Sequence, residues 1–563
     1  MLPRLFQRLF RNCRRPATTF LSRLRRDRRG NTLALVAAMI LPITGIIGSG
    51  LDMARVYLVK TRLQQACDSG VLAGRRQMAG TSTLSTAVTT EVQKYAQFNF
   101  PQQAMDTTVY TIAPTLDAAN DTINLTLNTR MNTALMRLFG IASVPVQVTC
   151  SAREDYANID IVLVLDTTGS MACKPERDDA GCSTYANQSG VRGQTMTVNG
   201  RTVTYLKEET SGGVNISRMQ GLRTALSSLR DKMATIETQF ASAPTAQRKR
   251  VRFAIVPFSQ MTNPGFSTGA AGTTLYSRNP DWFNTQGTYK SIGVCGSGKN
   301  AYYCYKSASV SHNSSWMSST WDGCVEERGT SNTITPTSGH SIPNNLPSNA
   351  YDLMFDSTPT TDTATRFTVA DPDAVSEATT PQYACPKAMR ELAPMLTSDY
   401  NSYFTFANGF VANGGTYLDL GMLWAARLLS RNGMWATDNP VTYNGFKVQR
   451  YVILMTDGVM DISNTGYGAY AQEGQWQRTT NDGSAATANA NHGTRWLMTC
   501  SALKNNMATQ IFVVSYSASS SLTADIQSCS SGAGYAFKAD SSAQLNSVFN
   551  TIADNIGALR LSR

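Results

Sequence analysis

Histidine is nearly absent from this chain. There are three in 563 residues, His312, His340 and His492, and no two stand at metal-ligand spacing. No C-x-x-C pair occurs, which argues against a zinc ribbon or a thioredoxin-like redox site. A Walker A pattern is missing, and with it the usual phosphate cradle for ATP hydrolysis. Gly169-Ser170 is not set in a G-x-S-x-G elbow, and no base stands out to activate a nucleophile for a metal-dependent hydrolase. Charge is scarce too: Asp, Glu, Lys and Arg make up 16% of the residues against 42% hydrophobic ones. That balance describes a globular chain with a lightly charged surface, not a disordered one. Acids are almost missing from the first thirty positions, which hold ten Arg and a single acid, Asp27. This tail accounts for nine of the eleven net positive charges. The bulk of the chain is therefore near neutral, and no nucleic-acid partner is expected.

Directly after the tail comes an uncharged run from Gly30 to Leu51, GNTLALVAAMILPITGIIGSGL. About 20 residues of helix cross a hydrocarbon core, and Gly and Pro are tolerated in such helices. An Arg-rich flank before the span and a neutral chain after it predict a cytoplasmic N-terminus, residues 1–30, and an exported remainder. The helical pattern continues past the span to about residue 80, with Val56, Val59, Leu63, Ala66, Gly70 and Ala73 at helical spacing. No small-x-small site closes the apolar run, so a retained anchor at 31–51 is expected over a cleaved signal.

Of eleven Cys, Cys13 falls on the cytoplasmic side and ten on the exported side. An even number in an oxidising compartment reads as disulfides, although connectivity does not follow from sequence. The preferred pairs are Cys173–Cys182, Cys295–Cys304, Cys324–Cys385 and Cys500–Cys529. Cys67–Cys150 is then left to tie the membrane-proximal helix to a later strand.

A helix over 84–100 and strand-like runs at 107–114, 121–129 and 144–152 predict a small α+β unit over residues 81–155. From Asn158 the pattern changes. IDIVLVLD is a continuous apolar run ending on an acid, as expected of a strand buried on both faces. An amphipathic helix comes next, with Ile216, Met219, Leu222, Leu226, Leu229, Met233 and Ile236. Further strands are expected at 252–259, 450–458, 509–517 and 534–540. Helices are expected around 386–397, 416–430 and 542–559. Strands alternating with helices predict an α/β fold over 156–563 with a doubly wound, mainly parallel sheet. Two long insertions interrupt it, 172–213 and 260–384. The tyrosines and tryptophans of 275–325 suit either a binding surface or the core of a disulfide-held subdomain.

Three segments carry chemistry: Asp166-Thr167-Thr168-Gly169-Ser170-Met171, Gly414-Gly415-Thr416 and Thr456-Asp457-Gly458. The first and third lie just past predicted strands and the second opens a helix, where a parallel sheet gathers its functional loops. Asp166 and Asp457 offer carboxylates, and Thr168, Ser170 and Thr416 offer hydroxyls. An all-oxygen set of this kind suits a hard divalent cation, Mg²⁺ first, with Mn²⁺ and Ca²⁺ as alternatives. The hydroxyls ligate without adding charge, which leaves the ion electrophilic and open to a partner's carboxylate. The bland alternative is that the acids cap helices and the hydroxyls satisfy turns.

This constellation resembles the metal-ion-dependent adhesion site of von Willebrand factor A domains, over roughly residues 158–560. The resemblance implies a binding role for Asp166, Thr168, Ser170, Thr416 and Asp457, with Thr at a position where Ser is commoner. The N-terminal stretch resembles the TadE/TadG-like segment of Flp (tight adherence) pilus assembly proteins. It has the Arg-rich lead, a Gly-Asn step, one membrane helix, Asp52-x-x-Arg55-x-Tyr57, and Arg62-Leu63-Gln64 with Ala66 and Asp68 after it. A segment of this kind ahead of a von Willebrand A domain is the layout of TadG-like members. Pilin precursors of the prepilin-peptidase type carry Glu five residues after the cleaved Gly. Leu35 stands there in this chain, so that cleavage is not expected. The resemblance implies a non-enzymatic, single-pass inner-membrane protein of pilus assembly, with pilin-like or other assembly proteins as partners. A pilus-tip adhesin and a scaffold with a vestigial metal site are the alternatives.

Overall fold

The computed structural model describes residues 31–78, 84–117, 122–153, 158–198, 201–241, 248–264, 275–375, 383–394, 404–519, 521–557 and 560–562. The chain divides into two compact units, residues 1–155 with 559–563, and residues 156–558. The expected cytoplasmic tail, residues 1–30, lies outside the described residues.

The smaller unit is built on helix α1, Asn31–Met78, 48 residues long and with Pro42 inside it. Its N-terminal part is long and apolar enough to cross a membrane. Its later part buries Val59, Leu63, Ala66, Cys67 and Val71 against helix α2, Thr86–Asn99, through Val88, Val92 and Ala96. A side chain at Gly74 would collide with Val92, so the two helices owe their close crossing to that glycine. Ser85 caps α2 by accepting from the amide of Val88 at 3.3 Å. Strands β1, Thr115–Asp117, β2, Thr122–Asn132, and β3, Ser143–Arg153, form an antiparallel sheet against α1, with β2 and β3 paired from Thr122↔Arg153 to Asn132↔Ser143. The run 107–114 does not form the expected strand. It meets β2 only at its start, through the bridge Thr107↔Met131 and hydrogen bonds of Thr108 with Thr129 and Arg130, and strand structure starts at Thr115. A C-terminal strand, Arg560–Ser562, which sequence patterning assigns to the larger domain, pairs with β3 instead.

The motif positions of α1 now have a structural reason. Asp52 is fully buried, and its carboxylate accepts from the amides of Ala134, Leu135 and Met136 at 2.8, 2.9 and 2.8 Å. Arg55 reaches Asp106 at 2.7 Å. Gln64 donates to Asp68 and to the carbonyl of Thr149. Cys67 is bonded to Cys150 on β3. Asp52, Gln64 and Cys67 thus dock the helix onto the β2–β3 hairpin, and Arg55 ties it to the turn that follows α2.

The larger unit centres on β4, Asn158–Asp166, flanked by β5, Val251–Phe258, and β7, Phe446–Thr456. Strand β6, Arg390–Pro394, lies on the β5 edge, and β8, Thr509–Tyr516, and β9, Ala536–Ala539, extend the sheet beyond β7 in the order 6-5-4-7-8-9. Pairings among β5, β4, β7, β8 and β9 are parallel. β6 is antiparallel to β5 and occupies the stretch where a helix over 386–397 is expected from sequence. Its backbone groups are taken by the open edge of β5, and that pairing outweighs a local apolar spacing that reads as helical.

Every residue of β4 and β5 is buried. One face, with Ile161, Leu163, Leu165, Phe253, Ile453 and Phe512, packs on α3, Arg218–Ala241, and α6, Ser542–Ile556. The other, with Val162, Val164, Val256, Leu454 and Val513, packs on α4, Leu418–Leu429, and α5, Ala485–Asn505.

The 260–384 insertion adds to the core of the α4 face, where Phe283, Tyr289, Trp321, Val325 and Phe367 are buried. Among the described residues, the Tyr and Trp side chains of 275–325 lie in or against this core. Two fully buried ion pairs hold it: Arg427 of α4 grips Glu327 through two bonds of 2.8 and 2.6 Å, and Arg495 of α5 meets Asp352 at 2.6 Å. The Cys173–Cys182, Cys324–Cys385 and Cys500–Cys529 disulfides are formed as expected. The fifth pair, Cys295–Cys304, involves a side chain outside the described residues.

Removing one partner of a dry ion pair strands the other charge. Glu327→Ala is expected to cost about 3–5 kcal/mol in urea unfolding. Glu327→Ala combined with Arg427→Met is expected to recover much of that loss, because neither charge then remains.

Candidate functional site

The parallel register brings the carboxyl ends of β4 and β7 side by side, with Leu165 opposite Met455. Asp166 ends β4 and Asp457 stands just past β7. Both are buried, Asp166 completely. One Asp166 oxygen accepts from the amide of Thr168 at 2.8 Å, and the other from the hydroxyl of Thr456 at 2.7 Å. The Thr168 and Ser170 hydroxyls are 3.1 Å apart, and Ser170 donates to Asp457 Oδ1 at 2.8 Å. Four of the five expected residues thus form one connected polar group.

The fifth, Thr416, arrives on a loop tied to the first. Gly169 donates to the Gly414 carbonyl at 3.0 Å and Asn413 to the Thr167 carbonyl at 2.9 Å. The paired glycines are required locally. Gly414 has φ +82°, and a Cβ there would lie 2.7 Å from that of Ala384. A Cβ on Gly415 would lie 2.6 Å from the carbonyl oxygen of Asp461, the residue that bridges Thr416 through its backbone. The Thr416 hydroxyl makes no hydrogen bond among the described residues. It lines, with Ser170 and Asp457, the floor of a cleft of about 1190 Å³. The cleft's rim carries Asp179, Asp373 and Asp461, together with Arg192 and Tyr383. Asp166 and Thr168 are buried and do not border the cleft.

Sequence patterning misses Arg218. This residue opens α3 on the same stripe as Leu222 and Leu229, and it is fully buried. Its guanidinium donates to Asp457 Oδ2 at 2.9 Å, to the carbonyl of Arg177 at 2.6 Å and to the Ser517 hydroxyl at 3.1 Å. A lone cation on an apolar helix stripe is the available signal, since a charge is buried only with a partner. Arg177 belongs to the loop closed by the Cys173–Cys182 disulfide, and the amide of Arg218 donates to the Cys173 carbonyl.

Two carboxylates this close cannot both ionise freely in a dry setting. Burial first, and the charge of Asp457 second, push Asp166 up to about 7. The donor set fits a hard divalent ion. It offers two carboxylates with unused lone pairs, two linked hydroxyls and a third hydroxyl facing the cleft without a partner among the described residues. Mutual hydrogen bonding satisfies the rest of the group, and the Thr416 hydroxyl is left for solvent or a ligand in the cleft.

Two other clusters do less. Asp322, Cys324 and Cys385 lie together, but both sulfurs are taken by a disulfide and cannot ligate as thiolates. Thr479, His492 and Asp419 line up at 3.3 and 2.8 Å in the manner of a nucleophile, base and acid. All three are buried, and none borders the cleft.

Residues 30–81 match the Flp pilus-assembly TadE/G-like family. Among curated proteins none matches the chain. Similar solved structures include the pilus adhesin SpaC from Lactobacillus rhamnosus GG, at 12% identity and TM-score 0.30, covering 80% of this chain and 34% of that one. The PilB minor pilin from Streptococcus sanguinis is similar at 10% identity and TM-score 0.33, covering 80% and 79%. So is the vWF domain of the type V pili tip protein Mfa5 from Porphyromonas gingivalis, at 10% identity and TM-score 0.29, covering 71% and 95%. This chain spans about a third of the length of SpaC.

The raised Asp166 has a consequence for the metal-free protein. A carboxyl whose folded pKa of about 7 exceeds its unfolded value of 3.8 stays protonated only in the fold over that window. Its contribution to stability therefore falls as pH rises from the unfolded value to the folded one, and levels off above it. With chelator present, unfolding free energy between about pH 4 and about pH 7, the ends of that window, is expected to decline more steeply for the wild type than for Asp166→Asn. Parallel pH profiles would refute the assignment.

Proposed function

We propose that this chain, whose residues 30–81 match the Flp pilus-assembly TadE/G-like family, is a membrane-anchored component of pilus assembly that binds a partner through a divalent cation. Helix α1 holds it in the bacterial inner membrane, with the Arg-rich tail cytoplasmic and the folded units outside. The larger unit acts as a doubly wound, von Willebrand A-type binding domain. Its partner is a pilin-like or other assembly protein that presents a carboxylate.

The observation that carries this reading is the Thr416 hydroxyl, free of partners among the described residues and set on the cleft floor beside Ser170 and Asp457. Asp166, Thr168, Ser170, Thr416 and Asp457 would hold the cation, directly or through water, in the octahedral manner Mg²⁺ prefers. A bound cation would supply Lewis acidity toward an incoming anionic oxygen. The chain's own residues do the rest. The hydroxyls ligate without neutralising the ion, and the cleft walls limit access to it. Arg218 holds Asp457 in one orientation and places a fixed positive charge behind it. A site with two carboxylates, one buried guanidinium and one divalent cation keeps a net positive charge. A partner carboxylate cancels that charge, so partner and metal reinforce each other's binding. The Thr479–His492–Asp419 line is buried and stands apart from this cleft.

The Arg218–Asp457 pair also favours a second reading, a scaffold with a vestigial site, since it neutralises one carboxylate with no metal present. A tip adhesin would use the same cleft on a surface ligand.

Calorimetry on the detergent-solubilised full chain separates these readings. Mg²⁺ and Mn²⁺ are expected to bind the wild type, and neither Asp166→Ala nor Asp457→Ala. Arg218→Met is expected to bind Mg²⁺ roughly tenfold more tightly, equivalent to about 1.4 kcal/mol, while its metal-free form is less stable. A folded wild type that takes up no divalent ion would favour the scaffold.

A further inference from the structure

The smaller unit has an apolar surface that its fold does not explain. The tip of the β2–β3 hairpin, residues 133–142, carries Leu138, Phe139 and Ile141 at 74%, 46% and 43% exposure. A soluble hairpin tip is normally polar, and clustered exposed apolar side chains mark a contact surface.

This tip does not point away from the anchor. It lies along α1 within the uncharged stretch. A Cβ on Gly45 would lie 3.2 Å from the ring of Phe139, and one on Gly48 would lie 2.7 Å from Leu135. The two glycines leave room for the tip to lie flat on the helix. Asp52 is the first charged residue after the apolar run. At 1.5 Å per residue, Gly45 sits about 10 Å from Asp52 toward the membrane side of the helix. Ile46 and Ile47, beside the tip, are themselves exposed at 74% and 65%. The apolar surface of the tip is therefore continuous with that of the membrane-spanning helix.

A loop in hydrocarbon must also satisfy its own backbone. This one nearly does. Asp52 takes the amides of Ala134, Leu135 and Met136. Thr133 donates to Ala142, Leu138 to Leu135, Gly140 to Arg137 and Ile141 to Met136. The Thr133 hydroxyl closes the base of the loop on the Ile141 carbonyl. Arg137, the one charged residue of the tip, has a stem long enough to carry its guanidinium back to the headgroups.

We propose that the β2–β3 hairpin tip is a second membrane-contacting element, with Leu138, Phe139 and Ile141 immersed among the acyl chains of the leaflet next to the folded units. The inference rests on the reading of α1 as a membrane anchor. It gives the smaller unit a fixed depth and tilt at the bilayer surface, set by two points of insertion.

The test places a nitroxide, through a ketone-bearing residue, at Leu138, Ile46 or Phe98 of the full chain. The chain is reconstituted in phosphatidylethanolamine–phosphatidylglycerol vesicles. Phe98, at 83% exposure on α2, serves as the water-side reference. Power saturation with oxygen and with a water-soluble nickel chelate then reports depth. Labels at Leu138 and Ile46 are expected to favour oxygen, and the label at Phe98 to favour nickel. Gly45→Leu, which displaces Phe139, is expected to shift the Leu138 label toward the nickel side while Ile46 stays put. A Leu138 label as open to nickel as Phe98 overturns the proposal. So does one shielded from both reagents, which would mean a protein surface covers the tip. An Ile46 label in water would instead remove the anchor reading itself.

Discussion

Two carboxylates that emerge from adjacent buried strands must be reconciled with each other, and much of the larger unit is organised around that demand. Parallel pairing of β4 and β7 leaves Asp166 and Asp457 no freedom to separate. Little water reaches them to screen the charges, since Asp166 is fully buried and Asp457 meets the cleft with 2% of its surface. The structure answers with unequal treatment. Asp457 receives a guanidinium, and Asp166 receives only an amide, a hydroxyl and a raised proton affinity. The remaining deficit of positive charge faces a cleft. The glycine pair at 414–415, the tied loops and the third hydroxyl shape the wall of that cleft.

Strands β4, β5, β7 and β8 are legible in the sequence because burial on both faces removes any need for polar alternation, leaving unbroken apolar runs. The oxygen-bearing site residues are legible because strand ends and a helix start place them at predictable points. The features that escape the sequence are decided by contacts distant along the chain. β6 takes its conformation from the edge of β5. Arg218 is buried because Asp457, 239 residues further on, needs it. The run 107–114 alternates like a strand yet finds only one bridging partner, at Met131. The C-terminal strand is too short for its pattern to indicate a partner, and only the free edge of β3 assigns it. The 260–384 insertion gives no sign of joining the main core, since its ion pairs to α4 and α5 link acids and arginines with no common motif.

The N-terminal segment makes the complementary case. There, sequence pattern and three-dimensional purpose coincide residue by residue. Asp52 holds the hairpin tip, Arg55 holds Asp106, Gln64 holds the β3 backbone and Cys67 fixes the same strand covalently. A short signature can define a family segment when most of its side chains each perform one docking contact. Tyr57 and Arg62 are exceptions within the motif, both exposed and making no such contact among the described residues.

The loop closed by Cys173–Cys182 gives the site a history as well as a geometry. Its Arg177 carbonyl is one of three acceptors that steady Arg218, and the Cys173 carbonyl receives the amide at the start of α3. The full electrostatic balance is thus a property of the oxidised chain. A polypeptide still in a reducing compartment lacks the covalent closure that sets these two carbonyls, even where magnesium is plentiful. Oxidation of this one cysteine pair would act as a clock for the site, whose charge balance is complete only once the loop has closed.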